Sequence, residues 1–207
     1  MLRGSRLQYC AIFSINNLPT QYQSRPDMPR IVEEQTYNGA TEKVSRLGLD
    51  PLMAEIRSLL TSFSLLVKEQ KDSNGGAAVR RMLDAQFQAA GGWTKTQTGD
   101  IDWVKCQTVN GTRVCLGVEV QFSARSDLLV IDIIHLRKAI VKGLIDLGVL
   151  VVPSDRLGYF LTDRAPRMSD AKRHVVEANA EDLPLILIAL EHDGLGPGLP
   201  KQKKQAN

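Results

Sequence analysis

TGDIDWVKCQTVNGTRVCLGVEVQF, residues 98–122, is the stretch around which the chain is built. Asn110-Gly111 is a strong two-residue hairpin signal, because both central positions of a type I′ turn need positive φ. With those residues as the turn, Val109 faces Thr112, and the register carried outward sets Asp102 directly opposite Glu119. Counted from the turn, this pair falls in the non-hydrogen-bonded class, where Cα atoms lie about 4.5 Å apart and side chains are closest. Gln121, two residues past Glu119, points to the same face and sits opposite Asp100. Two carboxylates facing each other destabilise a strand pair unless a positive charge lies between them. A divalent metal ion meets that need.

A length of 207 residues suits one domain with a sizeable core. The apolar fraction of 43% and charged fraction of 24% are those of an ordinary globular protein. A net charge of +3 permits a nucleic-acid partner without requiring one, since local clustering decides. Three cysteines, an odd number, argue against a disulfide scaffold. The hairpin register makes Cys106 and Cys115 cross-strand neighbours, open to a strained disulfide or half a metal site, but expected as two reduced, apolar residues of a cytosolic protein. No run of about 18 apolar residues is present, so no membrane-spanning helix is expected. The start, MLRGSRLQYCAIFSI, is too short and mixed in its apolar part for a signal peptide, and a cytoplasmic location is the default.

Residues 1–27 show little periodicity and read as a poorly ordered extension. Organised sequence runs from 28 to 194, and residues 195–207, with Lys201, Lys203 and Lys204, read as a flexible basic tail. Arg30-Ile-Val32 suggests a short strand, closed by a turn at Tyr37-Asn38-Gly39. Helical spacing of Leu52, Ile56, Leu59, Leu60, Phe63 and Leu66 predicts a helix over 50–70, with Asp50 as N-cap and Pro51 at its first position. A second helix is predicted over 77–90, stopped by Gly91-Gly92. After the hairpin, Leu128, Ile131, Ile134, Ile140 and Leu144 predict a long helix buried on that face, followed by the apolar strand Gly148–Val152. Residues 154–168 read as loop, then a helix from Ser169 (its N-cap) to Asn179, then a buried strand from Pro184 to Leu190. A strand, a long helix and a wholly apolar strand form a βαβ unit, so the second strand is parallel to the first. The fold class is therefore α/β: a mixed central sheet, an antiparallel hairpin joined to parallel βαβ strands, with helices on both faces.

The acidic residue at one strand end, facing Glu-x-Gln on the next, makes a hard oxygen-donor site. Mg²⁺ takes one or two carboxylates and keeps waters for the substrate, and the Val120 carbonyl can complete the shell. A metal so held acidifies a bound water and neutralises charge developing on a phosphodiester. Gln121 cannot act as a base, but its amide can orient the attacking water. The competing reading is a polar pair on a solvated sheet face. Against it, the strand carrying Glu119 is flanked by Val118, Val120 and Phe122 and leads into an apolar helix, which places it centrally.

Asp-Ile-Asp followed by Val-Glu-Val-Gln-Phe-Ser resembles the active-site signature of the BglII/BstYI group of type II restriction endonucleases. That group belongs to the PD-(D/E)XK nucleases, with Gln in place of the usual lysine. Arg30-Ile-Val-Glu33, Gly92-Trp93, Ile145-Asp-Leu-Gly-Val149 and the strand from Pro184 to Leu190 are similar to the BstYI branch in the same order. The resemblance covers about residues 28–194, which makes that segment a nuclease domain of restriction-endonuclease-like fold. It implies a Mg²⁺-dependent homodimer that cuts double-stranded DNA within a short palindrome and leaves 5′-phosphates. It assigns metal binding to Asp102 and Glu119, with Gln121 completing the catalytic set; the Val120 carbonyl joins the metal shell on the donor chemistry above. The register prefers Asp102 over Asp100. Relatives of this type read a GATC core, with Asn or Lys shortly after the signature; here that residue is Ala124, so either Arg125 substitutes or the target differs.

Base reading in the group also uses the loop after the parallel strand, here Thr162–Asp170, where Arg164 and Arg167 suit guanine and Ser169 either base type. Their alternative is a solvated loop with arginines paired to Asp163 and Asp170. Arg80, Arg81 and Lys95 are candidate phosphate contacts or ordinary surface charges. His135 reads as a structural or interface residue, and His174 and His192 show no metal spacing to any cysteine. A cognate DNA methyltransferase is an expected partner, since a host must protect its own sites. Two other readings stand beside the restriction enzyme: a repair or recombination nuclease of the same superfamily, and a catalytically inactive DNA-binding protein with this fold.

Overall fold

Asn110 and Gly111 both take positive φ, 49° and 80°, and Val109 pairs with Thr112 across them, so the turn expected from Asn-Gly is formed. The computed structural model describes residues 29–95, 101–123, 126–162 and 164–201. The sequence expectations for residues 1–27, and for Asp100, Ala124, Arg125 and Asp163, lie outside those residues. Along the chain the elements are β1 (Arg30–Tyr37), α1 (Ala40–Arg46), α2 (Asp50–Thr61), β2 (Leu66–Val67), α3 (Gly76–Ala90), β3 (Thr94–Lys95) and β4 (Trp103–Val109). There follow β5 (Thr112–Val120), α4 (Leu129–Val141), β6 (Leu147–Pro153), α5 (Asp155–Phe160), α6 (Met168–Glu177), β7 (Leu185–Glu191) and β8 (Gly194–Leu195).

Six strands form one mixed sheet in the order β1-β7-β6-β5-β4-β3. β5, β6 and β7 run parallel, while β1, β4 and β3 are antiparallel to their neighbours. The βαβ unit is therefore present, and β5, which carries Glu119, is central as the sequence implies. The period-2 alternation of side chains splits the core in two. Val118, Val120, Val149, Val151, Ile186 and Ile188 face α2 and α3 through Ile56, Leu60, Leu83 and Phe87. Leu150, Val152, Leu185 and Leu187 face α4 and α6 through Leu129, Ile133, Leu136 and Val175. Because both faces are covered, β6 and β7 are buried throughout.

Several boundaries differ from the sequence expectation. The helix predicted over 50–70 stops at Thr61, and Leu49 rather than Asp50 is its N-cap. Hydroxyls of Thr61 and Ser62 bond back to the carbonyls of Arg57 (2.8 Å) and Leu59 (3.3 Å), competing with further helical bonds. Leu66 then leaves the helical pattern to pair in parallel with Gly194. The loop predicted over 154–168 contains α5, capped by Ser154, whose Oγ accepts from Leu157 N at 3.0 Å. α6 begins at Met168 and not after Ser169; Asp170 Oδ2 accepts from Arg167 N at 3.1 Å. Cys106 and Cys115, expected as thiols, are joined in a disulfide across the hairpin.

The largest correction concerns α4. Four of the five residues predicted to be buried are exposed, Leu128, Ile131, Ile134 and Leu144 at 41, 43, 50 and 58%, while Ile140 packs half-buried against the core. The helix packs through Leu129, Ile133, Leu136 and Ala139 instead. Apolar residues occur on both sides of this helix, so periodicity alone could not choose between them.

One close approach fixes the site. A Cβ at Gly76 would lie 1.8 Å from the carbonyl oxygen of Phe122, so α3 begins hard against the residues that follow β5. Arg80, one turn further along α3, thereby reaches the end of the strand that carries Glu119.

Candidate active site

Asp102 immediately precedes β4, and the register continued one pair beyond Trp103–Val118 sets it against Glu119 on β5. The two carboxyl groups interact directly across the strand pair. Glu119 is only 3% exposed, and its Oε1 has no hydrogen-bond partner. Burial first, and the neighbouring Asp102 charge second, push Glu119 up to about 11. Two anions so placed would repel, so the fold favours the protonated form of Glu119.

Asp102 Oδ2 accepts from the backbone N–H of Val120 at 2.9 Å, and Oδ1 accepts from Arg80 Nη2 at 2.5 Å. Arg80 Nη1 also donates to the Val120 carbonyl. The guanidinium therefore bridges two of the oxygen donors that the sequence assigns to a metal. Burial alone would lower the Arg80 pKa, but the Asp102 and Asp84 carboxylates outweigh it and raise it. Asp84 accepts from Arg80 Nε at 3.1 Å, Trp103 Nε1 at 3.0 Å and Lys95 Nζ at 2.8 Å. Burial pushes Asp84 up, yet the Lys95 bond and the Arg80 charge hold it below its ordinary value. Arg80 and Lys95, expected as phosphate contacts, thus both turn to Asp84.

On the other side of Glu119, α4 contributes two residues that the sequence did not single out as functional. Asp132 Oδ2 accepts from Gln121 Nε2 at 2.8 Å, and His135 Nδ1 lies 3.7 Å from Glu119 Oε1. One ligand atom from each of Glu119, Asp132 and His135 lies within 4.8 Å of the others. Gln121 is thereby fixed beside the carboxylates, at 9% exposure. The signal was present in the sequence, since residues three apart on a helix share a face and this helix follows the Glu119 strand directly. Burial first, and the Asp102 charge second, push Asp132 up to about 7.

These upward shifts have a measurable consequence. Above the ordinary carboxylate range, from about pH 4, the folded protein keeps protons that the unfolded chain releases. Without divalent cations, stability therefore falls as pH rises, and the Asp132 contribution to that fall ends near its folded value of about 7. Thermal denaturation between pH 5 and 8 is expected to show a falling Tm, with Asp132→Asn flattening the portion below pH 7. A Tm that rises across that interval contradicts the shifts.

Other predicted contacts are placed more loosely. Arg164 and Ser169 are exposed and Arg167 half-buried. The Arg164 carbonyl accepts from Ser126 N at 3.0 Å, tying their loop to the segment that follows β5. A groove of about 770 Å³ opens beside His135, and Arg113, Lys138 and Lys142 contribute to its lining. These cations stand beside apolar residues, Ile101, Val104, Leu144 and Ile145 among them, so the groove is mixed in character. No described helix is long and apolar enough to cross a membrane.

The comparison with curated proteins finds no match. A model of one family, Restriction endonuclease BglII/BglIII, matches residues 32–190. That span runs from β1 to β7, so the parallel strands, the facing carboxylates and both helices that flank them fall within it. The fold, the order of its elements and the match agree, and the chain belongs to the BglII/BglIII restriction endonuclease family.

Proposed function

We propose that the chain is a type II restriction endonuclease that uses Mg²⁺ to hydrolyse phosphodiester bonds of double-stranded DNA within a short palindrome, as a homodimer, leaving 5′-phosphates. The observation that carries this reading is the buried Asp102–Glu119 pair, with a partnerless Glu119 oxygen and a guanidinium spanning Asp102 and the Val120 carbonyl. Those donors fit a divalent cation on two counts. They are hard oxygens, and the chain places a cationic group of its own across two of them. When bound, Mg²⁺ supplies Lewis acidity and an acidified water. Asp102, Glu119 and the Val120 carbonyl hold it, while Gln121, steadied by Asp132, orients the water. Arg80, which spans Asp102 and the Val120 carbonyl, carries a planar fork that would suit a phosphate oxygen beside them.

Cutting both strands of a palindrome requires two sites related by a twofold axis. The exposed apolar face of α4 supports a dimer of this kind, since the same helix carries Asp132 and His135 at the site. Arg164, Arg167, Ser169 and Arg125 are the proposed base-reading residues, and a palindrome with a GATC core is the first target to test. A methyltransferase modifying the same sequence is the proposed partner in the host. The ends of the products test the chemistry: DNA ligase is expected to rejoin the fragments without prior kinase treatment. Fragments that ligate only after phosphorylation contradict it.

A further inference from the structure

We propose that Glu119, Asp132 and His135 form a second cation seat, on the side of Glu119 away from Arg80, and that its imidazole suits it to a first-row transition ion such as Mn²⁺ rather than Mg²⁺. The inference rests on the endonuclease reading only in sharing Glu119 with the first seat.

The strongest observation is Glu119 Oε1. The side chain is buried, the oxygen has no hydrogen-bond partner, and His135 Nδ1 lies 3.7 Å from it. That separation is too long for a hydrogen bond. A buried acceptor without a partner is costly, and native structures leave few. On its α4 side Glu119 meets Asp132 and His135. There the three donor atoms lie within 4.8 Å of one another. Ligand bonds of about 2.0–2.2 Å put donors on opposite sides of one ion roughly 4.0–4.4 Å apart, so small side-chain rotations complete the shell.

The supports of this seat are already in place. Asp132 and His135 are three residues apart on α4 and project from one face. Gln121 Nε2 holds Asp132 Oδ2 at 2.8 Å, fixing the carboxylate's orientation. Gln121 is thus a positioning residue for the second seat as well as a neighbour of the first. The donor set decides the ion: two carboxylates with one imidazole favour Mn²⁺ and its neighbours, whereas Mg²⁺ prefers oxygen alone. With Glu119 common to both seats, the arrangement has the shape of a carboxylate-bridged pair.

The test is Mn²⁺ binding to the full chain without DNA, followed by titration and by pulsed electron paramagnetic resonance. Wild type is expected to show a bound ion with ¹⁴N coupling. Asp102→Asn, which disrupts only the first seat, keeps that coupling. His135→Ala loses it and weakens binding at this seat by about tenfold or more, on the scale seen when groups supporting a metal are removed. Asp132→Asn weakens binding likewise, and circular dichroism shows that each variant folds. Absence of ¹⁴N coupling in folded wild type, its persistence in His135→Ala or its loss in Asp102→Asn overturns the seat. Cleavage of DNA without nitrogen coupling overturns this seat alone. Nitrogen coupling in a protein that never cuts upholds the seat while the endonuclease reading fails.

Discussion

Asp102→Asn is expected to lower the rate of DNA cleavage by about 10³-fold or more, while duplex binding in Ca²⁺ stays intact. Charge stabilisation by a bound metal contributes several kcal/mol to such a reaction, and each ~1.4 kcal/mol is tenfold in rate. Asn keeps the shape of Asp102 and one acceptor oxygen for two donors, Arg80 and the Val120 N–H, and circular dichroism checks that the variant folds. It removes the anionic donor that faces Glu119. Loss of cleavage with retained binding separates chemistry from recognition, and equal losses of both would point to a collapsed site instead. Arg80 sharpens the expectation. Its guanidinium now contacts Asp102 and the Val120 carbonyl, and the variant weakens both its grip and the metal's.

The double substitution Ile131→Glu with Ile134→Glu is expected to convert a dimer to a monomer. These side chains are 43 and 50% exposed in one chain, on a helix whose opposite face already packs into the core. Burying an Ile contributes roughly 1.5–3 kcal/mol, and a twofold interface presents each residue twice. The dimer dissociation constant therefore rises on the order of 10⁴-fold. Light scattering reads the mass directly, and the cleavage pattern reads the consequence: supercoiled plasmid is nicked but not linearised. Because neither side chain is in the core, the thermal stability of the monomer stays close to wild type. A wild-type protein that is monomeric with and without DNA contradicts the interface.

What could be read from the sequence was what short-range chemistry dictates. Asn110-Gly111 set the hairpin, and because side chains alternate with period two, it also set Asp102 against Glu119 across sixteen intervening residues. The apolar run before Pro153 could only be a strand covered on both faces, and the parallel order followed from it. Two things were not legible. The first is which face of α4 is buried, because apolar residues lie on both sides and the choice depends on what packs against it. The second is the positive charge at the carboxylates. The facing pair called for a cation, but that Arg80 meets it depends on where α3 starts, and this follows from the contact of Gly76 with the Phe122 carbonyl. For Asp132 and His135 the sequence shows a shared helix face, but that this face meets Glu119 depends on the same packing.

The measurement closest to the central claim is incubation of the purified chain with long duplex DNA in Mg²⁺, with a parallel sample in Ca²⁺ and the Asp102→Asn variant alongside. Discrete fragments in Mg²⁺ only, and none from the variant, are the predicted result. Duplex DNA that is bound but left whole in both Mg²⁺ and Mn²⁺ would contradict it, and would make this family member a DNA-binding protein without nuclease activity.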